Sequence, residues 1–152
     1  MKPFDPKSFH NILGNLLQDE RVAEMKRFVQ HGSITTYDHC RNVASISQRI
    51  NRGLRLKANE DTLLKGAMLH DYFLYDWHDN PRDHNGWHGT AHAGVACRNA
   101  EKDFDIDSQT AHVIRSHMWP LNITSVPRSR EAWIVCIADK LVSAQETIRH
   151  RR

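Results

Sequence analysis

Thiol chemistry is nearly absent from this chain. Its 152 residues hold three cysteines, Cys40, Cys97 and Cys136, and no Cys-x-x-Cys pair. A disulfide framework is therefore excluded, and the odd count fits a reducing compartment. Each cysteine lies beside apolar residues in a helical pattern, so each is expected as a small buried hydrophobe. No apolar run approaches the roughly 20 residues that span a bilayer, which excludes a transmembrane helix. The opening Met1-Lys2-Pro3-Phe4-Asp5-Pro6 lacks the apolar core of a signal peptide, so a cytoplasmic location is expected. Strong charge of one sign is missing as well: 21 Lys and Arg face 18 Asp and Glu, a net +3. The basic residues are scattered apart from Arg149-His150-Arg151-Arg152, which suits the end of a helix. Without a broader basic patch, no nucleic-acid partner is expected. Period-2 alternation, internal repeats and low-complexity tracts are missing too.

What remains is helical periodicity. The length suits one domain with a core of its own, here residues 1–152. Pro6 opens a first helix with Phe9, Ile12, Leu13, Leu16 and Leu17 on one stripe. Val22, Met25, Phe28 and Val29 predict a second helix, stopped near Gly32. Thr35 or Thr36 caps a third, which carries His39, Val43, Ile46 and Ile50 and ends at Gly53. Asn59 caps a fourth that reaches His70 and Asp71. Asn80-Pro81 and Asn85-Gly86 mark a loop between Asp76 and Trp87. A fifth helix is expected from about Thr90 to Phe104, and a sixth from Asp107 or Ser108 to near Met118. After a loop at 120–128, a last helix starts near Ser129. The fold class is all-α: a bundle of about six or seven helices, with N-terminal helices over 6–30 packed on a core of about 35–142.

Histidine is the residue in excess, with eleven copies. Histidine is the commonest metal ligand and the usual acid/base group near neutral pH. Five of the predicted helices carry ligand-type residues: His39, the pair His70-Asp71, His92, His117 and Asp139. Helix bundles build metal sites in this way, from inward residues of several helices. His39 shares its stripe with Val43, Ile46 and Ile50, Asp139 shares a face with Val135 and Val142, and His117 follows Val113 by four. A carboxylate among valines costs several kcal/mol unless paired or bound to a cation. His10, His31, His84, His112 and His150 lack such context and are expected at the surface or in caps.

The ordered set His39, His70-Asp71, His92, His117, Asp139 resembles the HD-domain metal-dependent phosphohydrolase superfamily. So do the contexts Tyr37-Asp38-His39-Cys40-Arg41-Asn42-Val43-Ala44, Ala67-Met68-Leu69-His70-Asp71 and Ile137-Ala138-Asp139-Lys140-Leu141. The match covers about residues 35–142. The resemblance implies that His39, His70, Asp71 and Asp139 hold a first metal, and that Asp71 bridges to a second held by His92 and His117. His88 competes with His92 for its position, and His92 is preferred because the small-residue helix pattern follows it. Two divalent transition ions per chain are implied, with a mononuclear site on His39, His70, Asp71 and Asp139, and the other two histidines on phosphate, as the alternative. A nitrogen and oxygen donor set suits iron, manganese or zinc without selecting among them. Such a pair would share a hydroxide that attacks phosphorus, with Asp71 as the catalytic bridge.

On the substrate side the resemblance places Lys140 at a phosphate oxygen. Asp76, His78 and His88 are candidates for substrate contacts or for orienting ligands. Trp77, Trp87 and Trp119 are candidates for stacking on a base, although core packing is the commoner use of tryptophan. The expected activity is hydrolysis of a small phosphorylated metabolite or nucleotide, as a phosphomonoester or phosphodiester. Leu74 stands where cyclic-dinucleotide phosphodiesterases of the HD-GYP type carry lysine, and the Gly-Tyr-Pro signature is missing, which argues against that substrate. A di-iron oxygenase of the same superfamily and a non-catalytic metal- or nucleotide-binding module remain as alternatives.

Overall fold

The computed structural model describes residues 3–74 and 88–152, with the side chains of 88–90 excepted. Seven α-helices make up the described fold: α1 (Pro6–Gln18), α2 (Glu20–Ala23), α3 (Thr36–Gly53), α4 (Glu60–Leu69), α5 (His88–Phe104), α6 (Ser108–Ser116) and α7 (Arg130–His150). Their starts follow local chemistry. The Thr35 hydroxyl accepts from the Asp38 N–H at 3.1 Å, Asn59 from Thr62 at 3.2 Å, Asp107 from Thr110 at 2.7 Å and Ser129 from Ala132 at 3.1 Å. Each pairs a first-turn N–H that has no partner within its own helix.

The predicted second helix is replaced by something shorter. After α2 the chain makes one 3-10 turn, Glu24–Arg27, and then an antiparallel hairpin of β1 (Val29–His31) and β2 (Ile34–Thr35). The β-branched Val29, Ile34 and Thr35 favour extended backbone. Gly32 sits in the two-residue loop at φ +58°, a conformation glycine takes without steric cost. A side chain there would collide with the His150 ring at the end of α7. The strand register is irregular between Val29 and His31, and Gln30 between them turns inward and is buried. Residues 28–35 are thus not helix, contrary to the 6–30 helical expectation.

The core runs through the middle of the bundle. α3 packs against α4 and α7, α4 against α6, and α6 against both α5 and α7, while α1 covers α4. Leu63, Leu64, Met68 and Leu69 of α4 are fully buried with Val43, Val113, Ile114 and Val135. Gly66 of α4 faces Val113 of α6 so closely that an added Cβ would lie 2.5 Å from Val113 Cγ1. Cys40, Cys97 and Cys136 are buried free thiols, as expected. Among the described residues no helix is long and apolar enough to cross a membrane.

Candidate metal centre

The bundle brings His39, His70, Asp71, His92, His117 and Asp139 together, and all six are buried. α3 supplies His39, the end of α4 supplies His70 and Asp71, α5 supplies His92, the end of α6 supplies His117, and α7 supplies Asp139. Their donor atoms form two groups. In the first, His39 Nε2 lies 3.0 Å from Asp139 Oδ1 and 3.6 Å from Asp71 Oδ2. His70 Nε2 lies 3.3 Å from Asp71 Oδ2 and 3.4 Å from Asp139 Oδ1. In the second, His92 Nε2 and His117 Nε2 are 2.9 Å apart, and each is 3.3 Å from Asp71 Oδ1. Asp71 therefore turns one oxygen to each group.

Helix ends set the tautomers of two rings. α4 and α6 stop at Leu69 and Ser116, leaving terminal carbonyls without helical N–H partners. His70 Nδ1–H donates to the Ala67 carbonyl and His117 Nδ1–H to the Ile114 carbonyl, both at 2.6 Å. A carbonyl only accepts, so each neutral ring keeps its proton on Nδ1 and presents a bare Nε2 to the centre. His39 points its Nδ1 the other way, 2.9 Å from Glu146 Oε2. Asn42 donates to the other Glu146 oxygen at 3.2 Å.

These atoms fit a cation. His70 Nε2 and Asp71 Oδ1 are buried without a hydrogen-bond partner, which is costly for a polar atom that meets no ion. Nitrogen donors about 2.0–2.1 Å from a tetrahedral ion sit about 3.3 Å from one another, close to the separations found. The electrostatics agree. Burial favours a neutral Asp71, yet the His70 ring and the imidazoles around it hold its carboxyl well below the usual range. Asp139 is likewise lowered, burial being outweighed by His39 and His70. Burial opposes charge on His39, but the Asp139 and Glu146 carboxylates push that ring up to about 10. His70 is raised too, burial being overcome chiefly by Asp71, whereas burial lowers His117. An entering cation competes with the protons of His39 and His70 for the same carboxylate field.

A cleft of about 640 Å³ opens onto the centre. Met118, Pro120 and Leu121 form one wall, and Gln30, Lys140 and Ser143 supply polar groups. Gln30 Nε2 donates to Asp71 Oδ2 at 3.0 Å. The Lys140 ammonium donates to the His117 carbonyl at 3.2 Å and lies 3.2 Å from Cys136 Sγ. Gln30, Ser143 and Glu146 are absent from the sequence expectation, and His31 is there only as a surface or capping residue. His31, expected at the surface, lines the cleft instead and stands edge-on to His39 at 5.6 Å between ring centroids. The hairpin that carries Gln30 and His31 is masked by the helical spacing of Val22, Met25, Phe28 and Val29, which runs into it. Glu146 did have a signal, since it follows Asp139 by seven residues, two turns along one face of α7. Trp119 is half-buried and meets the exposed Trp133 edge-on at 5.1 Å between ring centroids. Asp76, His78, Trp77 and Trp87 lie outside the described residues, as does the side chain of His88, whose backbone starts α5.

No curated protein and no solved structure gives a match to this chain. A family model does match, the HD domain, over residues 36–144. That span takes in both donor groups and the helices that carry them, and the chain belongs to the HD-domain family.

Proposed function

We propose that the protein is a metal-dependent phosphohydrolase acting on a small phosphorylated metabolite or nucleotide. His39, His70, Asp71 and Asp139 hold one divalent ion, and Asp71, His92 and His117 hold a second. The observation that carries this is the division of Asp71, whose Oδ2 faces His39 and His70 while its Oδ1 faces His92 and His117. A carboxylate placed in this way can bridge two ions roughly 3.5–4 Å apart. When bound, such ions make hydroxide available near neutral pH and offset charge on phosphoryl oxygens.

The chain's own groups do the rest. Gln30 holds Asp71 in its bridging orientation, and the carbonyls of Ala67 and Ile114 hold His70 and His117. Lys140, at the rim of the cleft, places a positive charge where a phosphate oxygen would enter. The apolar wall of Met118, Pro120 and Leu121 accepts the group that the phosphate is attached to.

The test is elemental analysis of protein purified without chelator or nickel resin, beside Asp71→Ala, with release of nitrophenol from mono- and bis-(p-nitrophenyl) phosphate. Two ions per chain and hydrolysis, both lost in the variant, are expected. Two ions retained by Asp71→Ala would overturn the site. A pair of irons without hydrolysis would turn the reading to an oxygenase, and no stoichiometric metal after reconstitution would leave a binding module.

A further inference from the structure

We propose that Glu146 is the positioning residue of the first donor group, the one that fixes His39 with its proton on Nδ1 and its Nε2 turned to the ion. This rests on the dinuclear reading above. His39 is the one ring of the first group that no helix-end carbonyl holds. It lies inside α3, where the carbonyls are already used by the helix itself, so its tautomer must be set by a side chain from elsewhere. Glu146 supplies that from α7. Its carboxylate is buried, 2.9 Å from His39 Nδ1, and its other oxygen takes the Asn42 amide at 3.2 Å. Asn42 is one turn beyond His39 on α3, so the carboxylate is gripped by the element it orients.

The same contact spans the site. α7 presents Asp139 to His39 Nε2 at 3.0 Å and Glu146 to His39 Nδ1 at 2.9 Å. The imidazole is clamped on both edges by one helix, with the two carboxylates two turns apart. Burial works against the negative charge of Glu146, and the hydrogen bond from His39 more than offsets it, so its carboxyl is lowered. Carboxylates that take the outer N–H of a ligating histidine fix the ring and raise its basicity. Their loss typically costs 10–100-fold in metal affinity.

Among the described residues, no hydrogen bond or ion pair joins Glu146 to the second donor group, formed by Asp71, His92 and His117. A positioning role therefore affects one ion and spares the other, whereas a general loss of stability affects both. A groove of about 590 Å³ bordered by Asn42, Ile46, Val142 and Gln145 also reaches Glu146. Truncating the carboxylate lets groove water take the Nδ1–H, so the ring loses its orientation without being left bare.

The experiment has two arms. In the first, Mn²⁺ is titrated into chelator-stripped wild-type protein, Glu146→Ala and Glu146→Gln. Glu146→Ala is expected to weaken one of two binding steps by about 10–100-fold and leave the other within about twofold. Glu146→Gln, which keeps an acceptor for Nδ1–H, recovers most of the loss. Equal weakening of both steps, or an unchanged titration, overturns the proposal. In the second arm, NMR of the stripped protein follows the His39 Nδ1 proton. A downfield, slowly exchanging proton is expected in the wild type and Glu146→Gln but not in Glu146→Ala. Its absence from the wild type overturns the proposal even if no ion binds, an outcome that would separately sink the dinuclear reading.

Discussion

Gly66 offers the sharpest test of how the fold sets the site. It lies four residues before His70 on α4, and Val113 lies four before His117 on α6, so their contact is one helical turn beneath the two candidate ligands. The His70 and His117 rings sit 4.7 Å apart between centroids, a closeness that depends on the helices approaching below them. In Gly66→Ala the new Cβ would lie 2.5 Å from Val113 Cγ1 and 2.8 Å from Val113 Cβ. A rotamer change can move the methyl but not Val113 Cβ, so α4 and α6 must separate. Overpacking of this kind costs about 1–3 kcal/mol, and the second contact argues for the upper end. Alanine regains about 1 kcal/mol of helix propensity, leaving a net loss of about 2 kcal/mol. For a domain of this size that lowers the melting midpoint by about 4–8 °C. Calorimetry of the chelator-stripped protein measures it. Adding Val113→Ala removes the methyl clash but keeps Cβ, so the pair is expected to show a favourable coupling of about 1 kcal/mol. Because the ligand-bearing ends move apart, Gly66→Ala is also expected to weaken Mn²⁺ binding. A variant that melts at or above the wild-type temperature would refute the packing argument. Unchanged metal affinity despite a lower midpoint would refute the link from packing to site.

Two further predictions use other contacts. Arg52 bonds both oxygens of Glu60 and holds its carboxyl below the usual glutamate value of 4.5. A lowered folded value means stability present above about 4.5 and lost as pH falls through that lowered value. Arg52→Ala is therefore expected to show a smaller drop in urea midpoint between pH 6 and pH 3 than the wild type; an equal drop would remove the pair from the acid response. Lys140→Ala is expected to raise KM for a phosphoester several-fold with metal stoichiometry unchanged, and unaltered kinetics would confine Lys140 to tying α7 to the His117 carbonyl.

Much of this was legible because helices repeat their faces. The stripe His39, Val43, Ile46, Ile50 placed an imidazole inward, and Asn59, Asp107 and Ser129 marked helix starts that the structure uses. The segment after α2 was not legible in the same way. Val22, Met25, Phe28 and Val29 carry a helical spacing, but β-branched residues and a left-handed Gly32 bend the chain into a hairpin instead, and Gln30 and His31 reach the centre from there. His31 is the instructive miss: a half-buried histidine on a two-stranded hairpin has no neighbours in sequence that reveal its place beside the cleft. Glu146 was missed for a different reason. Its spacing from Asp139 was visible, but its partner, His39, lies 107 residues away, and only the packing of α3 on α7 joins them.

The positions of His39, His70 and His117 in their helices decide how each is held. At a helix end the carbonyls of the last turn lack N–H partners, and an imidazole one or two residues on can fold back to them. His70 and His117 do so, three residues back in both cases. One bond then caps the helix and sets the tautomer, so no second residue is needed. Inside a helix those carbonyls are taken, and the candidate ligand His39 is met instead by a carboxylate from another element, Glu146. The rule makes a distinction that mutation can read. Replacing Ala67 or Ile114 leaves the backbone acceptor in place and should not disturb the ring it holds, whereas His39 depends on a side chain and is open to a single substitution at Glu146. The site is thus anchored through backbone on α4 and α6 and through a replaceable carboxylate on α7.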